Sequence, residues 1–140
     1  MPTSGPIIIV EDDLDDQDLL REAFEDLGIP NVLRFFDNCI KTLDYLLTTI
    51  ERPFLIISDI NLPAMTGLEL KEQINNTDAL RRKGIPFIFL STALDNALIA
   101  KAYNVLVQGY FVKPLKIDDL RTMLKMIVDY WKVCKQPLPV

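Results

Sequence analysis

A chain of 140 residues with 49% hydrophobic and 25% charged residues is long enough for one buried core and too apolar for intrinsic disorder. Its net charge of −5, with no basic patch, argues against direct nucleic-acid binding, and its apolar runs are too short to span a bilayer. The absence of histidine removes Ser-His and Cys-His nucleophilic sites, histidine metal cages and phosphohistidine chemistry on this chain itself.

Residues 6–10, Pro-Ile-Ile-Ile-Val, form a β-branched run that predicts a buried first strand leading directly into Glu11, Asp12 and Asp13. Beyond it Leu20, Ala23, Phe24 and Leu27 recur at helical spacing. Asp15, Asp16 and Asp18 crowd the first turn, where the helix dipole favours negative charge, and Gly28 and Pro30 close the helix. Residues 32–36, Val-Leu-Arg-Phe-Phe, predict a second strand, less uniformly apolar and so placed at a sheet edge. Asp37 or Asn38 caps a helix whose expected apolar stripe is Ile40, Leu43, Leu46 or Leu47, and Ile50.

Residues 54–57, Phe-Leu-Ile-Ile, show no alternation, the pattern of a strand buried on both faces, and they lead through Ser58 to Asp59. A third helix is expected from about residue 68 to 75, with Leu70 and Ile74 inward, followed by a polar connector to Gly84. Residues 85–90 predict a fourth strand ending in Ser91, Thr92 and Ala93. Asp95 or Asn96 starts a fourth helix, with Leu98, Ala102 and Val105 or Leu106 as its buried line. Residues 109–114, Gly-Tyr-Phe-Val-Lys-Pro, hold a short fifth strand stopped by proline. The last helix, about 117–134, places Ile117, Leu120, Leu124, Ile127 and Trp131 on one face, and Pro137 and Pro139 prevent its continuation. Cys39 and Cys134 match no metal or redox spacing and read as packed, reduced thiols.

Five alternations of strand and helix predict a single α/β domain, doubly wound, with a five-stranded parallel sheet and helices on both faces. Its core is expected over residues 6–134, with 135–140 a short tail. In such a sheet chemistry gathers at the carboxyl ends of the strands. Glu11, Asp12, Asp59, Thr92 and Lys113 each fall at a predicted strand end, so one edge collects them. Taken singly, each has a plain structural role as a cap or a surface residue. Together, three carboxylates in a small space call for a cation, and hard oxygen ligands suit Mg²⁺ or Mn²⁺. Lys113 supplies a point charge and Thr92 a hydroxyl, which describes a phosphoryl-transfer site with Asp59 as nucleophile.

Four motifs carry a resemblance: residues 10–13, Val-Glu-Asp-Asp; 58–67, Ser-Asp-Ile-Asn-Leu-Pro-Ala-Met-Thr-Gly; 90–93, Leu-Ser-Thr-Ala; and 110–114, Tyr-Phe-Val-Lys-Pro. In this order the chain resembles a receiver domain of the two-component response regulators, of the CheY-like, stand-alone type, over nearly its full length. The resemblance implies that Asp59 accepts a phosphoryl group from a phosphohistidine on a sensor kinase or phosphotransfer protein. It implies Mg²⁺ held by Asp12, Asp59 and the backbone carbonyl of Asn61, with Glu11 acting through water, and Lys113 on the phosphate. Pro114 is then expected in a cis peptide with Lys113. Phosphorylation would draw Thr92 towards the phosphate and Tyr110 inward, re-forming a partner surface on the fourth helix, fifth strand and last helix, where a homodimer is also possible. No output domain is expected, and the signal-free N-terminus makes a cytoplasmic location the default.

Two positions depart from the family pattern. Leu106 stands where many relatives carry glycine, which leaves the build of that turn open, and apolar Leu94, two residues past Thr92, leaves the phosphate's lifetime open. A flavodoxin-like carrier shares the topology, but Glu11, Asp12 and Asp13 would repel an anion where its phosphate loop belongs. An aspartyl phosphatase of the haloacid dehalogenase type wants an acid where Asn61 stands. An adaptor that has dropped phosphorylation would have no need for Asp12, Asp59, Thr92 and Lys113 together.

Overall fold

The computed structural model describes residues 2–137, so Pro139 and the end of the expected tail lie outside the described residues. After a short 3-10 turn at Pro2–Ser4 the order is β1 (Ile7–Val10), α1 (Leu14–Asp26), β2 (Leu33–Phe36), α2 (Cys39–Thr48), β3 (Leu55–Ser58) and α3 (Gly67–Asn76). Then come α4 (Asp78–Arg81), β4 (Phe87–Ser91), α5 (Asn96–Asn104), β5 (Gly109–Val112) and α6 (Ile117–Val133). The five strands form one parallel sheet in the order β2-β1-β3-β4-β5. This is the doubly wound fold expected, with the strand order switching direction between β1 and β3 while all strands stay parallel.

Burial follows sheet position. Every residue of β1, β3 and β4 is buried, whereas β2 and β5 are half-exposed edges. Alternate side chains of the central strands feed two cores. Ile7, Ile9, Leu55, Ile57, Ile88 and Leu90 meet α1 and α6 on one face. Ile8, Val10, Ile56, Phe87 and Phe89 meet the α2, α3 and α5 side on the other. Truncating any of these to alanine is expected to cost about 2–5 kcal/mol.

Four expectations need correction. The buried line of α2 is Cys39, Thr42 and Leu46, while Ile40, Leu47 and Ile50 are exposed. Asn38 caps the helix by accepting from the Lys41 amide, which fixes the phase so that positions 39, 42 and 46 face the sheet. Thr42 tolerates burial because its hydroxyl donates to the Asn38 carbonyl, 2.9 Å away. The connector after α3 folds into the single turn α4, anchored by buried Leu80. The expected fourth helix is therefore α5, and of its proposed buried line only Ala102 is fully buried. Leu106 is 67% exposed and takes φ +64°, the left-handed conformation that glycine adopts without strain. On α6 the buried line is Leu120, Leu124, Ile127 and Val128, with Ile117 and Trp131 half-buried at its ends. Among the described residues no helix is long and apolar enough to cross a membrane.

Candidate functional site

β1, β2 and β3 end level with one another, and β4 and β5 run two residues further. Val10 is level with both Phe36 and Ser58, Ser58 with Phe89, and Ser91 with Val112. Glu11, Asp59, Thr92 and Lys113 are each the first residue beyond the end of β1, β3, β4 and β5. Backbone ladders carry on through these positions: the Glu11 amide donates to Phe36, that of Asp59 to Val10 and that of Lys113 to Ser91. The side chains therefore leave the sheet from fixed points around the β1–β3 switch.

Lys113 Nζ stands at the centre. It pairs with Glu11 Oε1, lies 3.0 Å from Asp16 Oδ2 and is 3.4 Å from Asp59 Oδ2. Burial alone would lower the Lys113 pKa, but the hydrogen bonds to Glu11 and Asp16 and the charge of Asp59 more than offset it and hold the ammonium above its ordinary range. Glu11 is almost wholly buried, and that burial raises its pKa despite the opposing pull of Lys113. Asp59 Oδ1 accepts from the Ile60 amide at 2.7 Å, which fixes the carboxylate rotamer and leaves Oδ2 towards Lys113.

Surrounding structure holds these groups in place. Asp13 caps α1 by accepting from the amides of Asp15 and Asp16, and the Gln17 amide donates to the Glu11 carbonyl at 2.6 Å. The loop after Asp59 returns tightly, its Gly67 amide donating to the Ile60 carbonyl at 2.8 Å. Thr66 and Glu69 then start α3 with a reciprocal capping box. Thr-x-x-Glu was legible in the sequence as a helix start.

Two further side chains belong to the predicted constellation. Thr92 is exposed at the rim, one residue beyond β4. Tyr110 is half-buried, its ring packed edge-on to Phe89 and its hydroxyl donating to the Ala93 carbonyl at 2.6 Å. It is thus docked inward on the segment that carries Thr92. Asn61 lies exposed in the loop after β3. The cis peptide expected at Lys113–Pro114 is absent: among the described residues no peptide bond is cis. Trans is the lower-energy isomer for an X–Pro bond, and Lys113 reaches the acids from it. Asp16 was read from sequence only as a charge in a helix first turn. Its position on α1, facing β5 across the sheet end, is what turns it to Lys113.

Glu11, Asp12 and Asp59 each offer a carboxylate oxygen, and the three oxygens lie within 4.8 Å of one another. The set contains oxygen donors only, and Asp12 is open to water. That donor chemistry fits Mg²⁺ or Mn²⁺, which keep part of their hydration shell, and not a thiolate-bound metal.

Residues 7–125 match the family model described as the response regulator receiver domain. The chain is 31% identical over 129 residues to the probable methanogenesis regulatory protein FilR2 of Methanothrix harundinacea, covering 89% of this chain and 82% of that one. It spans only 53% of the length of another curated relative, a transcriptional regulator. Among solved structures, the phosphorylated cyanobacterial phytochrome response regulator RcpA is similar at a TM-score of 0.85 and 28% identity, over 96% of this chain and 99% of that one. The Mn²⁺-bound form of the response regulator Rcp1, a protein of Synechocystis, is similar at a TM-score of 0.82 and 26% identity, again over 96% and 99%.

Proposed function

The chain belongs to the response regulator receiver domain family, whose members are phosphorylation-dependent signalling switches and not classical enzymes, and from that premise we propose that Asp59 is its phosphoacceptor. The observation that carries this is the convergence on Lys113 Nζ of Glu11, Asp16 and Asp59, beside an oxygen-only cation site formed by Glu11, Asp12 and Asp59.

Asp59 Oδ2 is the attacking oxygen. An O–P bond forms to it as the N–P bond of a partner's phosphohistidine breaks, and the electron pair returns to the imidazole nitrogen. The donor is a sensor histidine kinase or histidine phosphotransfer protein; with no histidine in this chain, the phosphohistidine belongs to another molecule. Asp12, Asp59 and the Asn61 carbonyl would hold a divalent cation, with Glu11 acting through water, and the ion would offset the negative charge of the transferring group. Lys113 moves from its carboxylate partners to a phosphoryl oxygen, and Asp16 keeps the ammonium within reach while it does so. Thr92 donates its hydroxyl to the phosphoryl group from the rim. Because Tyr110 bonds the neighbouring Ala93 carbonyl, movement of Thr92 is felt at Tyr110 and through it on the α5–β5–α6 face. That face is the partner surface, and it offers exposed Val112 and Leu115 beside an open sheet edge to a downstream protein or a second copy. The domain acts in the cytoplasm as a single receiver unit.

Incubation with acetyl phosphate and Mg²⁺ tests this. Intact mass should rise by one phosphoryl group in the wild type and stay unchanged in Asp59→Asn or after chelation. An unmodified wild type, or modification that survives Asp59→Asn, would overturn the assignment.

A further inference from the structure

Lys71 has no part in phosphoryl transfer. It lies midway along α3, 7% exposed, and among the described residues no carboxylate pairs with it. Its ammonium donates to the Asn75 side-chain oxygen at 2.9 Å and sits 5.9 Å from the centre of the Phe87 ring, at the outer limit of a cation–π contact. Desolvation pulls its pKa below the ordinary lysine value. A neutral amide is a weak counterpart for a buried cation, and such a group is ordinarily paired.

The same lysine lines a cavity of about 620 Å³ at the amino ends of β4 and β5, the sheet edge opposite Asp59. That size is typical of small-molecule sites. Around Lys71 stand Asn75, Gln108 and Arg81, while Leu106, Ile85 and Trp131 supply apolar walls. Arg81 is engaged by Asp78, so Lys71 is the buried cation available to a ligand. The cavity wall is itself pinned: Asn75 donates to the Val105 carbonyl at 2.9 Å, and the Gln108 side chain accepts from the Phe87 amide at 2.7 Å.

We infer that this cavity binds a small organic monocarboxylate, its carboxylate accepting from Lys71 and its apolar body lying between Leu106, Ile85 and Trp131. One buried ammonium matches one negative charge, whereas a phosphate dianion would leave its second charge unpaired in the cavity. The site is separate from the phosphoacceptor and does not depend on the function proposed for it.

Trp131 is the sole tryptophan, so its fluorescence reports on the cavity directly. The 140-residue chain is titrated with phenylacetate and, as a neutral match, phenylacetamide, with amide chemical shifts of residues 71–86 followed in parallel by NMR. Phenylacetate should saturate both signals with at least about tenfold tighter binding than phenylacetamide. Lys71→Met should fold, since it exchanges a buried charge for a side chain of similar volume, and should erase that preference while leaving Asp59 phosphorylation unchanged. Equal binding of acid and amide by the wild type, no saturation by either signal, or a preference that survives Lys71→Met would overturn the inference. If Lys71→Met does not fold, the acid-to-amide ratio in the wild type decides alone.

Discussion

Gly67 begins α3 directly beneath the backbone of Asp59, and a methyl group there has no space. A Cβ at this position would come within 2.3 Å of the Asp59 carbonyl oxygen, 2.8 Å of the Phe89 ring and 3.1 Å of Ile60 Cα. Ordinary contact begins at 3.4 Å, so the first clash alone demands a separation of 3.4 − 2.3 = 1.1 Å between α3 and the Asp59 loop. Two of the three obstacles are backbone, which a rotamer change cannot relieve. Gly67→Ala should therefore cost about 2 kcal/mol, within the range for overpacking a closed core. With an unfolding entropy of about 2.1 cal/mol/K per residue, that lowers Tm by about 7 °C. Displacing the nucleophile by about 1 Å should also slow phosphorylation by up to about a hundredfold. Calorimetry reads the first effect, and the rate of mass gain with acetyl phosphate and Mg²⁺ the second. A variant within about 0.5 kcal/mol of the wild type that phosphorylates at the wild-type rate would show that α3 is not wedged against the site.

Lys113→Met should destabilise the metal-free protein by about 3 kcal/mol, because it leaves Glu11 buried without its cation. Mg²⁺ should raise Tm more in this variant than in the wild type, as thermal melts with and without the ion will show. Leu106→Gly should stabilise the protein by about 0.5–1 kcal/mol, since it relieves a left-handed residue that is exposed and packs little; urea midpoints measure it. Burial pushes the Cys39 thiol from 9.0 up to about 12. The folded state therefore resists ionisation, and its advantage is intact below pH 9.0 and lost as pH rises towards about 12. At about pH 10.5 the loss is roughly 2 kcal/mol, so urea midpoints should fall more steeply between about pH 8.5 and 10.5 in the wild type than in Cys39→Ala.

Sequence alone determined the topology class and which residues stand at the ends of its strands. Unbroken apolar runs such as Ile7–Val10, alternating with helical segments, suit a parallel sheet covered by helices on both faces, and a parallel sheet delivers every strand's end to one edge. Glu11, Asp12, Asp59, Thr92 and Lys113 could therefore be assigned to one site before any coordinates, because each follows an apolar run in the chain. The phase of α2 was not legible in this way. Both faces of that helix carry apolar residues, and the Asn38 cap together with contact against β2 and α3 decided that Cys39 and not Ile40 points inward. The conformation at Leu106 is a local matter of the end of α5, where the Leu106 amide donates to Tyr103 and the Val107 amide to Ala102, a turn that takes a left-handed residue whichever side chain it carries. Only the assembled sheet could show that Asp16 shares Lys113, because their contact spans 97 positions of sequence. The same is true of the buried ammonium of Lys71. Periodicity reports which way a residue faces relative to its own element, whereas the partner across a gap is fixed by how the elements pack.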